Sequence, residues 1–303
     1  MRHGRLRFIG GFLIIPLVLY TVFMVLPSAQ SFQIAFTDWR GVSATANYVG
    51  FDNFARVFQS ELFWKAMRNH GVLLLVVPLT TIVLAMYFAF LVNIGGRREG
   101  GRLHGLRGSA FYRVVFFFPQ VLSVAIVGVL FQSVFRPDDA GIVNGLLAPF
   151  GVDPIGFLID PSIALWSIIA VMVWAGVGFY FVLFSAAMAG IPAEVVEAAS
   201  LDGAGRVRLF FSIIVPMVRD TVQTAWVFLG MAALDAFVLV KVLSVNNGGP
   251  DGATTMVPVQ VYGKAFNEYQ FGQASAAAVV LFFIIMTFAA LTMRVTRREQ
   301  LEY

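Results

Sequence analysis

Long apolar runs separated by short polar segments dominate the sequence. A hydrocarbon core of about 30 Å needs about 20 mostly apolar residues in a helix. Runs of that length predict transmembrane helices at residues 8–27, 71–94, 112–135, 163–189, 221–243 and 272–293. The pattern therefore predicts an all-α membrane protein with six transmembrane helices. Because no soluble domain or tandem repeat interrupts it, a single membrane domain is expected over residues 1–303.

The composition agrees with this pattern, since 59% of the residues are hydrophobic and 13% are charged. Soluble domains carry about 25% charged residues. The first run follows the basic stretch "MRHGRLR", as in a signal peptide. Its apolar part is longer than the 7–15 residues of a signal sequence, and no clear A-x-A cleavage site follows. We expect a retained helix.

Lysine and arginine residues cluster in alternate polar segments, which predicts the orientation by the positive-inside rule. The basic side has Arg2, Arg5, Arg7, Arg97, Arg98, Arg102, Arg107, Arg113, Arg206, Arg208, Arg219, Arg294, Arg297 and Arg298. The other side has Arg40, Arg56, Lys65, Arg68, Arg136 and Lys264. Both termini are therefore expected in the cytoplasm. Because these residues form short clusters between spans, the net charge of +4 does not indicate a nucleic-acid partner.

Residue types that commonly carry enzyme or metal chemistry are scarce. The chain has no cysteine, which excludes disulfides and thiolate sites. Its histidines, His3, His70 and His104, are far apart in sequence. We expect all three on the surface at the membrane interface and predict no metal site and no catalytic residues.

One polar stretch, "EAASLDGAGRVRLFFSIIVP" from Glu197 to Pro216, lies between two apolar runs. Pro192 suits the first position of a helix, and Asp202-Gly203 suits its end, because glycine adopts the left-handed conformation easily. A second helix is predicted from about residue 205 to 214. Residues 190–220, here named the coupling segment, should form a cytoplasmic helix-turn-helix. The local pattern fits an ordinary interfacial loop and a partner-docking knob equally well.

The same stretch resembles the EAA loop of the permease subunits of ABC importers. The matching positions are Glu197, Ala198, Ala199, Asp202, Gly203, Ala204, Phe210, Ile213 and Pro216. Further stretches, "AFTDW", "VGFDNF" and "NGGPDGATT", resemble the maltose-type, sugar-importing branch of this family. The resemblance reaches most of the chain.

The resemblance implies the six-helix fold of type I ABC importer permeases, in a bacterial plasma membrane. It assigns ATPase coupling to Glu197, Ala198, Ala199, Asp202, Gly203, Ala204, Phe210 and Pro216. The implied partners are a second, non-identical permease, a dimer of ATP-binding subunits, an extracytoplasmic sugar-binding protein and the sugar. The only Gly-Lys pair, Gly263-Lys264, has Pro258 where a phosphate-binding loop needs its first glycine. This chain therefore needs no cofactor, and ATP and magnesium belong to the partner ATPase.

The substrate path is less clearly marked. Sugar sites combine aromatic faces with polar groups, and the spans offer Trp174, Tyr180 and Gln132. Asp235 is a carboxylate inside a predicted span, which is costly and commonly functional. A structural pair with a neighbouring helix is the alternative for Asp235.

Two other functions remain open to sequence reasoning. A membrane-embedded glycosyl or acyl transferase could use Asp202 or Asp235, but convergent nucleophiles, bases or metal ligands are missing from the pattern. An ion channel would need a ring of acidic or basic residues, which no span provides.

Overall fold

The structure, a computed structural model, describes residues 2–94, 98–99, 102–103 and 108–296. These residues are nearly all helical, apart from loops and two short antiparallel strands, β1 (Arg98–Glu99) and β2 (Arg102–Leu103). The helices are α1 (Arg2–Tyr20), α2 (Leu26–Ile34), α3 (Asp52–Gln59), α4 (Glu61–Asn93), α5 (Ser109–Phe117), α6 (Val124–Val134), α7 (Ile142–Leu147), α8 (Ala164–Ala189), α9 (Ala193–Leu201), α10 (Arg206–Leu209), α11 (Val215–Met217), α12 (Arg219–Leu234), α13 (Val238–Leu243), α14 (Val257–Tyr262) and α15 (Phe271–Thr296).

Among the described residues, four stretches are long and apolar enough to cross a membrane. They are Gly10–Ile34, Glu61–Asn93, Ala164–Ala189 and Phe271–Arg294. A fifth is possible if the bent pair Phe111–Val121 and Val124–Val134 counts as one span. The membrane class is thus confirmed, while the count of six spans stays a prediction.

The first span is longer than predicted because a proline does not end it. α1 continues through a π-turn at Thr21–Val25 into α2, whose second residue is Pro27. Proline has no N–H to give to the helix and crowds the carbonyl four residues earlier. The wider π-turn just before Pro27 accommodates it.

The predicted third span, residues 112–135, is two helices that meet at an angle of 98°. Between α5 and α6 the chain forms a 3-10 turn at Phe118–Val121 with Pro119 in its first turn, and Ser123 is extended with ψ 139°.

The predicted fifth span, residues 221–243, is also divided, into α12 and α13. Asp235 caps the end of α12, and the helix resumes at Val238.

The chain groups into two compact units, and the prediction of a single domain over residues 1–303 stays a prediction. The first unit comprises residues 1–64 and 260–284. In it, the buried amide of Asn53 on α3 donates to Ala35 O at 2.9 Å and to Thr37 O at 2.8 Å. The amide N of Gly272, in the first turn of α15, donates to Trp39 O at 3.1 Å.

The second unit comprises residues 65–259 and 285–303. Its apolar core lies among α4, α8, α12 and α13, with the fully buried side chains of Leu73, Phe181, Phe184 and Val240. Of the basic residues that predict the orientation, Arg97, Arg107, Arg297 and Arg298 lie outside the described residues, as does His104.

Candidate coupling segment and membrane path

The coupling segment folds as a helix, a left-handed turn and a second helix. α9 is capped at its C-terminus by Asp202, and Gly203 follows with φ +79°. The amide N of Ala204 donates to Ala199 O at 2.9 Å, and that of Gly203 donates to Ser200 O at 3.2 Å. These two bonds form a Schellman motif, which satisfies carbonyls that the end of a helix leaves open. The predicted turn is therefore present.

Backbone conformation, not space, requires glycine at position 203. A Cβ placed on Gly203 or on Gly205 would meet no other atom within 4 Å. Of these two glycines, Gly203 has positive φ, whereas Gly205 is extended with φ −72°.

Pro192 differs slightly from the prediction, since it precedes α9 as its cap residue with ψ 132°.

The second helix continues through Pro216, beyond its predicted end at about residue 214. α10 leads into a π-turn at Phe210–Ile214 and then into α11, which ends at Met217. The amide N of Val215 donates to Phe210 O, and the next residue is Pro216. This is the arrangement found before Pro27, and it again widens the helix where proline cannot donate. The chain restarts as α12 at Arg219, two residues before the predicted start of the fifth span at residue 221.

One face of the coupling segment is buried in the core, and the opposite face is open. Leu209 and Ile214 are 1% and 0% exposed, and the ring of Phe210 lies 5.0 Å from that of Phe90 on α4. Leu201 and Val207, by contrast, are 85% and 73% exposed. The segment is thus anchored on one side and presents apolar side chains on the other.

The predicted coupling residues lie on both faces. Ala199 is buried, Glu197, Ala204 and Phe210 are half-buried, and Ala198, Asp202, Gly203 and Pro216 are exposed. Ala199 therefore packs against the core and does not shape the open surface. The positions from Glu197 to Ala204 adjoin the turn, whereas Phe210 and Pro216 lie on the helix that follows it.

Trp174 is the predicted path residue that borders a cavity. An apolar cavity of about 910 Å³ lies among α4, α5 and α8 and is lined by Trp174, Trp166, Phe88 and Phe118 among others. The indole of Trp174 packs edge-on against Phe131, with ring centroids 5.1 Å apart. The wall offers aromatic faces but few polar groups, so it suits the apolar faces of a sugar ring better than its hydroxyls.

The structure does not bring the other three path residues to this cavity. Gln132 on α6 donates from Nε2 to Val242 O at 2.6 Å, which ties α6 to α13. Tyr180 on α8 is buried in the apolar core. Asp235 is exposed at the break after α12, and within the described part of the chain its carboxylate has no hydrogen-bond or ion-pair partner. The alternative for Asp235, a structural pair with a neighbouring helix, is thus not seen within the described residues.

His70 contradicts the prediction of a surface residue. It is fully buried and links the end of α12 to the start of α14. Its Nε2 accepts the Val257 amide N–H at 3.1 Å, so its ring proton lies on Nδ1, which faces Ala233 O at 3.3 Å. Both backbone groups belong to helix ends, where intrahelical partners are lacking. His70 supplies the partner that each one needs.

Two neighbours of His70 hold the loop that leads into α14. The amide of Asn69 donates to Ala253 O and to Thr255 O, at 3.0 Å each, and Lys65 Nζ donates to Asp251 O. Sequence reasoning missed these residues. A signal was present, because Lys65 and Asn69 are four residues apart and therefore share one face of α4.

Comparison with known proteins gives the class of this chain. Residues 82–298 match the profile of the family described as "Binding-protein-dependent transport system inner membrane component". The chain belongs to this family and is a permease protein with several membrane-spanning helices.

Similar proteins cover almost the whole chain. The diacetylchitobiose uptake system permease protein NgcF of Streptomyces coelicolor is 44% identical over 300 residues, which is 98% of this chain and 84% of that one. The multiple sugar-binding transport system permease protein MsmF of Streptococcus mutans is 32% identical over 292 residues, covering 95% and 94%. None of these matches favours the transferase alternative.

A solved structure supports the fold. A chain of a bacterial alginate ABC transporter, in complex with an alginate pentasaccharide-bound periplasmic protein, aligns with a TM-score of 0.80 at 22% identity. The alignment covers 97% of this chain and 96% of the other. At this identity the match establishes the permease fold and not the cargo.

Proposed function

We propose that this chain is one of two non-identical permease subunits of an ATP-driven sugar importer. The two permeases enclose the translocation path, and a dimer of separate ATP-binding subunits docks beneath them. An extracytoplasmic binding protein delivers the sugar. Family membership and the sugar-related names of both relatives support this assignment.

The geometry of the coupling segment is the observation that carries the proposal. A partner groove can hold a short helix that ends in a tight turn, provided that the helix is anchored from behind. Leu209 and Ile214 provide the anchor, and the exposed Leu201 and Val207 provide apolar contact area. ATP-driven closure of the partner moves this knob if the two permease conformations differ in their contacts with the ATPase. ATP and magnesium act in the partner.

The cargo is proposed to be a saccharide, with a disaccharide of acetylated amino sugars as the first candidate, because NgcF is named for diacetylchitobiose uptake. Trp174 would stack on a sugar ring in the apolar cavity. Asp235, Tyr180 and Gln132 are proposed to act along the same path once the second permease completes its wall. We propose the orientation that the positive-inside rule predicts, in which both chain termini and the coupling segment face the cytoplasm.

Substitution of valine for Gly203 tests the coupling role. A β-branched residue at φ +79° costs about 1–3 kcal/mol of local strain or changes the turn. We expect Gly203→Val to insert and pair with the second permease, but to copurify poorly with the ATPase and to lose stimulation by loaded binding protein. Gly205→Val is the matched control, since its backbone is extended and its surroundings are open.

Equal ATPase binding and transport by Gly203→Val and Gly205→Val would contradict the docking role. The coupling segment would then be an ordinary interfacial loop.

A further inference from the structure

A second cavity lies in the first unit, and none of its lining residues belongs to the coupling segment or lines the Trp174 cavity. It has a volume of about 450 Å³ and lies among the loop after α2, α3 and the start of α15. Its lining includes Trp39 and Tyr269 together with five charged residues and several amides. Ligand pockets start at about 300 Å³, so this cavity is large enough for a small molecule.

Hydrogen bonds and a close backbone approach hold the wall of the cavity in place. Asp38 on the loop accepts the Asn47 amide N–H at 2.7 Å and the Asn47 side-chain amide at 3.0 Å. These two bonds, chiefly that from the side chain, hold the pKa of Asp38 below its usual value. On the other side, a Cβ on Gly272 would lie 2.0 Å from Thr37 O, so the loop and α15 touch backbone to backbone.

Several polar side chains on the wall have unused hydrogen-bonding capacity. Within the described part of the chain, the side chains of Asp52, Arg56 and Gln270 have no hydrogen-bond or ion-pair partner. Arg56 offers donors, Asp52 offers acceptors and Gln270 offers both. Tyr269 adds an aromatic ring, 52% exposed, at a residue held in the left-handed region with φ +55°.

The mixture of charges narrows the class of ligand. An anion would be attracted by Arg40 and Arg56 but repelled by Asp38, Asp52 and Glu268. A metal ion would be repelled by Arg40 and Arg56. In addition, no group of three His, Cys, Asp or Glu residues that could hold a metal ion occurs among the described residues. A neutral ligand rich in hydroxyls can donate to the carboxylates and accept from the guanidinium groups at the same time.

We propose that this cavity, here named the Trp39 cavity, binds a saccharide on the external side of the membrane. It would be a holding site for the cargo, separate from the path through the spans. The choice of a saccharide and of the external side rests on the proposed function, whereas the cavity and its free polar groups do not.

Binding to the isolated full-length chain tests the proposal. The chain is placed in lipid nanodiscs, and titration calorimetry is run with N,N′-diacetylchitobiose, maltose and inorganic phosphate. We expect one of the two sugars to bind and phosphate not to bind. Asp52→Asn and Arg56→Gln should each weaken sugar binding about tenfold, because each removes a charged hydrogen-bond partner.

Matched controls are Glu61→Gln and Arg68→Gln, which change exposed charges outside the cavity and should bind sugar like the parent chain. Thermal unfolding of each variant checks that it is folded. The proposal is overturned if neither sugar binds, if phosphate binds instead, or if the cavity variants bind sugar as the controls do. It is also overturned if free sugar does not bind but Asp52→Asn abolishes stimulation by loaded binding protein, because the cavity is then a protein-docking surface.

Failure of this proposal can be distinguished from failure of the proposed function. A chain that binds sugar in the Trp39 cavity but never assembles with an ATPase contradicts the importer and keeps the cavity site. A working importer whose permease binds no free sugar gives the reverse result.

Discussion

Individual polar side chains decide much of the local structure in this apolar chain. Sequence reasoning predicts His70 on the surface, because the residues around it are typical of loops. It is buried because two helix ends need a donor and an acceptor at that point, which only the tertiary structure reveals. Gly203 could be predicted, since the need for positive φ is local to the turn.

Thr81 on α4 offers a test of an unsatisfied group. Its side chain is fully buried, and its Oγ1 has no hydrogen-bond partner among the described residues. Thr81→Val replaces this hydroxyl with a methyl of similar size, so we expect the free energy of unfolding to stay equal or rise by about 1 kcal/mol. Thermal unfolding in detergent measures the change.

Thr81→Ala is the matched variant for that measurement. It removes the hydroxyl and the methyl together, so it should be less stable than Thr81→Val. If Thr81→Val were clearly less stable than the parent chain, the hydroxyl would have a stabilising partner, such as a bound water.

Asp235 is expected to act in transport and not in assembly. Its carboxylate is exposed where α12 ends, and within the described residues it makes no hydrogen bond or ion pair. Asp235→Ala should therefore lower sugar uptake severalfold while the complex with the ATPase still copurifies. Asp139→Ala, also exposed, is the control. Loss of the whole complex would instead assign Asp235 to pairing with the second permease.

At the scale of elements, apolar runs predicted the positions of the helices better than their continuity. The bend between α5 and α6 has a local cause in the turn that contains Pro119. The break after α12 has neither glycine nor proline, and its freed carbonyl at Ala233 is matched by His70 on α4. A break of that kind depends on a distant residue, so helical periodicity alone could not predict it.

The contact of α5 with α8 depends on Gly178. A Cβ at this position would lie 1.8 Å from Phe116 O, a backbone atom that no change of rotamer can move. We expect Gly178→Ala to push α5 away and to lower the free energy of unfolding by about 1–3 kcal/mol. Gly71→Ala is the control, because a Cβ there meets nothing within 4 Å. Similar thermal stability of the two variants would show that α5 shifts without cost.

At the scale of the whole molecule, the sequence predicts the class and the family, and it leaves the path unresolved. The predicted path residues do not converge, since only Trp174 lines the apolar cavity. If two permeases enclose the path, as proposed, it needs side chains from both chains, and one sequence then shows half of it. The Trp39 cavity was not predicted either, because its wall joins segments more than 200 residues apart in sequence.

The orientation of the chain can be tested directly, because the absence of cysteine gives a clean background for labelling. The asymmetry of lysine and arginine predicts the coupling segment inside and the loop after α2 outside. Leu201 and Val42 are suitable positions, with 85% and 80% exposure. In intact cells, an impermeant maleimide should label Val42→Cys but not Leu201→Cys, and Leu201→Cys should react in inverted vesicles. The reversed pattern would place the coupling segment outside, where no cytoplasmic ATPase could reach it, and would overturn the importer mechanism.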